Sequence, residues 1–231
     1  PVISCQAVLD ENAVYAETMK TLAATLMNYG AAAQLHFKYK TDTLMNSWMA
    51  KELQVVNYSD ELIQALPEFD SSKFALTNDT AFVKSGSSLT FAGNIRHNFY
   101  FDVQSEAIAG ATEMKVLYWN ESEYNAYAEL TVENAHIAQL AYDADNSASA
   151  GINCYRTVLG GVSAKDLRDA FAVVVYYKDA QGNDHYSQIF TDSAHDYVRR
   201  VLGNNIAAEM KALAKAFLVY QIAAEDHLLQ K

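Results

Sequence analysis

A chain of 231 residues is long enough for one large domain or two small ones. Half of it (51%) is apolar, which excludes a disordered polymer, and the formal charge of −11 argues against nucleic acid and against an anionic membrane surface. No run reaches the roughly 18 uninterrupted apolar residues of a spanning helix, so no membrane insertion is expected. The chain begins at Pro1 without Met, as expected of a mature form or an excised fragment; the lack of a signal segment does not exclude secretion.

Residues 1–9 alternate loosely and suggest a short strand or lead-in. Asp10, Glu11 and Asn12 suit a helix N-terminus, so a helix is expected from about residue 12 to 38. Its stretch 19–37 (MKTLAATLMNYGAAAQLHF) repeats near the other end as 210–228 (MKALAKAFLVYQIAAEDHL), with 8 identities in 19 at a constant offset of 191. Apolar residues recur at helical spacing in both, and the paired alanines allow close backbone approach. These helices are therefore expected to pack together. Gly30 costs roughly 1 kcal/mol inside a helix, which a close helix crossing would explain. His36 and His227 occupy equivalent repeat positions and suggest a shared role.

Residues 39–73 read as a wrapping segment with short helical pieces, one opening at Ser59-Asp60-Glu61 and stopped by Pro67. Trp48 is expected to cover the helix pair. From residue 74 the period changes to that of strands: 74–76, 81–83, 88–91, 95–103, 112–119, 126–133, 135–142 and 152–159, with turn residues between them. In 112–119, Met114, Val116 and Tyr118 face one way, and Lys115, Leu117 and Trp119 the other. The stretch 143–151 looks like a loop, and Ser163–Leu167 like one helical turn. Residues 171–177 and 185–190 flank a hairpin turn at Gly182. A last helical segment begins near Ser193 and breaks at Gly203-Asn204-Asn205.

The expected fold class is α+β: an antiparallel Ig-like β-sandwich inserted between N- and C-terminal helices that pack together. The segments are 1–73, helical; 74–192, the sandwich insertion; and 193–231, the helices completing the first layer.

The run Leu26-Met27-Asn28-Tyr29-Gly30-Ala31-Ala32-Ala33-Gln34, followed by Phe37, Tyr39, Thr41-Asp42 and Leu44-Met45-Asn46, resembles a module of large secreted or cell-surface multi-modular proteins of Gram-positive gut bacteria. Gly161–Leu167, Tyr176-Tyr177, Tyr186-Ser187, Ser193 and Tyr197-Val198 resemble its second half, and Ala212–Tyr220 with Ala223-Ala224 its last helix. The resemblance covers about residues 19–228. It implies a non-catalytic part of an extracellular protein, beside other modules of the same parent, and carries over no functional residues.

Motifs for chemistry are sparse. There is no HExxH, GxSxG, P-loop or GxGxxG, so no cofactor and no enzyme activity are expected. Cys5 and Cys154 have no zinc spacing; they either bridge or stay as buried thiols. Asp192-Ser193-Ala194-His195-Asp196 offers a His between carboxylates, but helix capping by Asp192 or Ser193 accounts for it. Asp143-Ala-Asp145-Asn-Ser147 resembles the start of a calcium loop without its central Gly, and a plain solvated loop accounts for it. The stretch 118–127 gathers Tyr118, Trp119, Asn120, Tyr124 and Tyr127, aromatic rings to stack on sugar faces and polar groups to take hydroxyls. The alternative for this stretch is that Tyr118 faces the sandwich core while Trp119 packs on the helices. The expected function is binding of a polysaccharide or oligosaccharide. The alternatives are a structural spacer or protein-docking module, and a glycosidase using Glu121 and Glu123, which sit too close in sequence to be persuasive.

Overall fold

The structure, a computed structural model, describes residues 2–63, 69–90 and 94–229. The stop expected at Pro67 and the turn at Gly93 lie outside the described residues. The protein mixes helices with antiparallel sheets. It divides into two compact units: Pro1–Leu66 with Ala164–Leu167 and Val198–Lys231, and Pro67–Ser163 with Arg168–Tyr197.

The first unit is helical. Its opening segment, expected as a short strand or lead-in, holds a short helix, α1 (Cys5–Leu9), which Ser4 caps by accepting the Ala7 N–H at 3.1 Å. The long helix α2 (Glu17–Phe37) starts later than residue 12. The Asp10 carboxylate instead accepts the Asn12 N–H at 2.8 Å and its carbonyl accepts from Ala13, closing a turn that uses up the capping residue. Lys38 ends α2 in the left-handed region (φ 53°), its N–H returning to Gln34 and Leu35 carbonyls.

The last helix, α6 (Ala208–Leu228), meets α2 ring to ring: Tyr29 stacks on Tyr220 at 5.6 Å and meets Phe217 edge-on at 5.9 Å. Burial and the neighbouring Tyr220 push the Tyr29 phenol up to about 12. Thr18 and His227 share a hydrogen bond of 3.1 Å, whereas His36 lies edge-on to Phe37. The two repeat histidines therefore do different things. Trp48, expected as a cover, is 43% exposed, while the neighbouring Met49 is buried.

Among the described residues, the second unit carries nine strands: β1 (Phe82–Thr90), β2 (Ile95–Val103), β3 (Glu113–Asn120), β4 (His136–Gln139), β5 (Ala141–Tyr142), β6 (Cys154–Val162), β7 (Phe171–Lys178), β8 (Asp184–Tyr186) and β9 (Phe190–Asp192). One sheet has the order β1-β2-β6-β5; the other runs β4-β3-β7-β8, with β9 also on β7. Gly182 turns the β7–β8 hairpin at φ +88°, a conformation that favours a residue without Cβ. The expected strand at 126–133 is absent, and 135–142 splits between β4 and β5, which join different sheets. Two short helices lie where a strand junction and a loop were expected: α3 (Glu121–Ala126) and α4 (Ala144–Ala150), capped by Asn120 and Asp143.

Strand β3 is buried on both faces. Val116, with Met114 and Tyr118 beside it, faces a cluster that also holds Phe82, Phe99, Phe101, Leu159, Val173 and Phe190. Leu117 and Trp119 face a second cluster with Phe74, Tyr124, Leu130, Ala172 and Val174. The alternation read from the sequence is present, but both of its sides are covered. Helix α5 (Ala194–Gly203) follows β9. Ser193 caps it, accepting the Asp196 N–H at 3.0 Å.

Candidate functional site

The aromatic stretch 118–127 does not assemble as an open platform. Trp119 is fully buried, tilted against Phe74, and its indole N–H donates to the Asn134 side chain at 2.8 Å. Tyr124 is buried beneath Lys73, whose ammonium lies 4.4 Å from the ring centre; its hydroxyl donates to the Asp70 carbonyl at 2.6 Å. Asn120 is spent on capping α3: its side chain accepts the Glu123 N–H at 3.0 Å while Glu123 accepts the Asn120 N–H at 3.1 Å. Tyr118 is half-buried between Phe171 and His136. Tyr127 alone of the five sits at the exposed end, 36% open. Glu121 accepts the Ala170 N–H at 2.9 Å, so the two glutamates brace α3 and do not face each other across a cleft. The physical reason is that β3 has a hydrophobic cluster packed against each of its two faces.

The polar residues noted in the sequence are also occupied. Asp143 caps α4 and meets Arg156 at 3.4 Å, so the stretch resembling a calcium loop is a helix start. Hydrogen bonds from Asn146 hold the Asp143 carboxyl below its usual range. Among the described residues no group of three or more His, Cys, Asp or Glu is placed to hold a metal. Cys5 and Cys154 are free thiols, and burial pushes the Cys154 thiol up. His185 bridges two carboxylates, Asp79 at 3.1 Å and Asp179 at 3.0 Å, and stacks on Tyr177. This straps the β7–β8 turn to the entry of β1.

Two surfaces carry exposed aromatic or polar groups in suggestive arrangements. The first is the outward face of the β1-β2-β6 sheet. Tyr100 is in register with Gly86 on one side and Arg156 on the other. Nothing lies within 4 Å of where a Gly86 Cβ would stand, so the space above Gly86 is open, and Tyr100 opposite it is half-buried. Arg156 is exposed. Around the ring runs a polar fringe: Ser88 Oγ and the Tyr100 hydroxyl at 2.9 Å, and Asn98 donating to Ser88 Oγ at 3.0 Å and Thr90 Oγ1 at 2.9 Å. Cross-strand register puts these residues on one face, something linear sequence could not reveal without knowing which strands pair.

The second surface lies in the helical unit. Gln34 clamps the loop after α2, donating to the carbonyls of Lys40 (3.0 Å) and Thr43 (3.1 Å) and accepting the Met45 N–H at 2.6 Å. Asn28 does the same further on, donating to the Leu53 carbonyl at 2.8 Å and accepting from Asn46 at 2.9 Å. A Cβ on Gly30 would collide with the Met45 sulphur, so it is this loop that approaches Gly30. The residues carrying the resemblance in the first half thus form one clasp. It leaves an open groove of about 570 Å³ lined by Ala33, Phe37, Tyr39 and Met45.

No family model matches the chain, no curated protein matches it, and no solved structure matches it. Among the described residues, no helix is long and apolar enough to cross a membrane.

Proposed function

We propose that this chain is a non-catalytic, extracellular carbohydrate-binding module of a multi-modular protein, in which the two sheets form an Ig-like sandwich and the end helices pair with each other. The observation that carries the reading is the Tyr100 seat, an aromatic ring with open space above Gly86 and hydrogen-bonding groups around it. A sugar's C–H face stacks on such a ring, while Arg156, Ser88 and Thr90 take its hydroxyls. The binding face moves from Trp119 to Tyr100, because Trp119 is buried.

Native affinity electrophoresis through starch, xylan, β-glucan or mucin gels tests this. Retardation in one gel, lost in Tyr100→Ala and in Arg156→Ala, is the expected result. No retardation in any gel, or retardation untouched by both substitutions, overturns it.

A second reading, a protein-docking or spacer module, is favoured by one observation: Phe37 and Tyr39 are about 60% exposed beside the α2 groove (62% and 61%). It expects retardation in no gel.

A further inference from the structure

A charged cluster inside the second unit has no part in sugar binding. Lys84 is on β1, in register with Phe101, and a register irregularity follows it before Gly86. Asp192 is on β9, two residues after the buried Phe190. The two strands belong to different sheets. Lys84 Nζ is 2.9 Å from Asp192 Oδ2, 2.8 Å from the Thr191 carbonyl and 5.2 Å from the centre of the Phe99 ring. The Asp192 side chain is fully buried and that of Lys84 is 21% exposed.

A third group faces the same oxygen. His97 Nε2 lies 3.6 Å from Asp192 Oδ2, and the ring is fully buried, stacked on Phe99 at 4.7 Å. Neither ring nitrogen of His97 has a hydrogen-bond partner. The other carboxylate oxygen, Oδ1, accepts the Ser193 N–H at 3.0 Å, at the start of α5. One carboxylate oxygen therefore accepts a backbone N–H, and the other faces the Lys84 ammonium and the His97 imidazole.

We propose that Lys84 and Asp192 condense to a side-chain amide that covalently joins the two sheets. The pair is ionised in water, but burial removes the hydration that favours ions, and a proton passing from ammonium to carboxylate leaves an amine and a carboxylic acid. The Nζ lone pair attacks Cγ. The Nζ–Cγ bond forms, and negative charge collects on Oδ1, where the Ser193 N–H and the N-terminal end of α5 stabilise it. His97 takes a proton from the former amine and returns it to Oδ2 as the Cγ–Oδ2 bond breaks. One water leaves, His97 ends as it began, and nothing is oxidised or reduced. Holding the reactants in place is worth an effective concentration on the order of 10⁵–10⁸ M, and the reaction need occur only once per chain. The product is a neutral amide in an apolar setting, replacing an ion pair that costs solvation there.

The mass of the denatured intact chain is the test. The expected value is one water below the sequence mass, with a digest in which the Lys84 and Asp192 peptides are joined and trypsin leaves the Lys84 bond uncut. Lys84→Met restores the full mass. A wild-type mass equal to the sequence, or a water loss mapping to other residues, overturns the proposal. The wild-type measurement does not depend on any variant folding. In His97→Phe, linkage slows about 100-fold or more, read as unlinked chain persisting in a time course after cell-free synthesis. A time course equal to wild type removes His97 from the mechanism.

Discussion

Residues 37–48 and 118–127 carry comparable aromatic loads and end in opposite environments. Phe37, Tyr39 and Trp48 are largely exposed, while Trp119 and Tyr124 are in the core. Residue type does not separate them. What differs is the backbone each ring is mounted on. Trp119 projects from a central strand onto a second hydrophobic cluster, and Tyr124 from the short helix that covers it. Phe37 and Tyr39 stand where α2 ends and a clamped loop begins, so no further layer covers them. Aromatic richness marks apolar area, and topology decides whether that area becomes core or surface.

The contrast can be tested by substitution. Trp119→Ala should lower unfolding free energy by about 3–5 kcal/mol, seen as a fall in the urea midpoint, since it leaves a cavity and removes one of the two donors to the Asn134 side-chain oxygen. A loss below about 1 kcal/mol would show that the ring is solvated after all. Gln34→Ala should cost about 1–2 kcal/mol, because its bonds to the loop are partly solvated, and should speed amide exchange at Met45. An unaltered exchange rate would mean that the loop holds itself.

Alkaline pH should weaken the buried region. Burial, then the Asp70 carboxylate, raises the Tyr124 phenol above its ordinary 10.0. Its contribution to stability is therefore fully present below about pH 10 and is lost as pH rises through the folded-state value, because the unfolded chain ionises first. Tyr124→Phe should flatten that part of the pH dependence in denaturation curves. The smallest effect is expected from Phe37→Ala and Tyr39→Ala, each within about 0.5 kcal/mol of wild type. A larger loss at either would place a covering layer over the groove.

Much of this fold was legible from periodicity, and the misreadings were local. The β3 alternation, the hairpin at Gly182 and the helix break at Gly203 follow from short-range stereochemistry, and all are present. The first helix, α1, was missed because its cap is a single Ser and its run is five residues. The split of 135–142 between two sheets left no trace in composition, since β4 and β5 are separated by Leu140 alone. Asn120 and Asp143 invited functional readings that the structure resolves as helix capping, while Ser193 caps α5 as its sequence position suggests. The clasp residues Asn28, Gly30 and Gln34 stood out in the sequence as a motif, but their partners lie 6 to 27 positions away.

By itself, the sequence determined the alternation of strand and helix and the two matching terminal helices, because hydrophobic periodicity and turn chemistry act over a few residues. Only the tertiary structure decided which faces were covered. Burial of Trp119, the open seat beside Tyr100, and the meeting of Lys84, His97 and Asp192 all depend on pairings between residues far apart in the chain. Those pairings are set by how sheets and helices pack, and no local pattern encodes them.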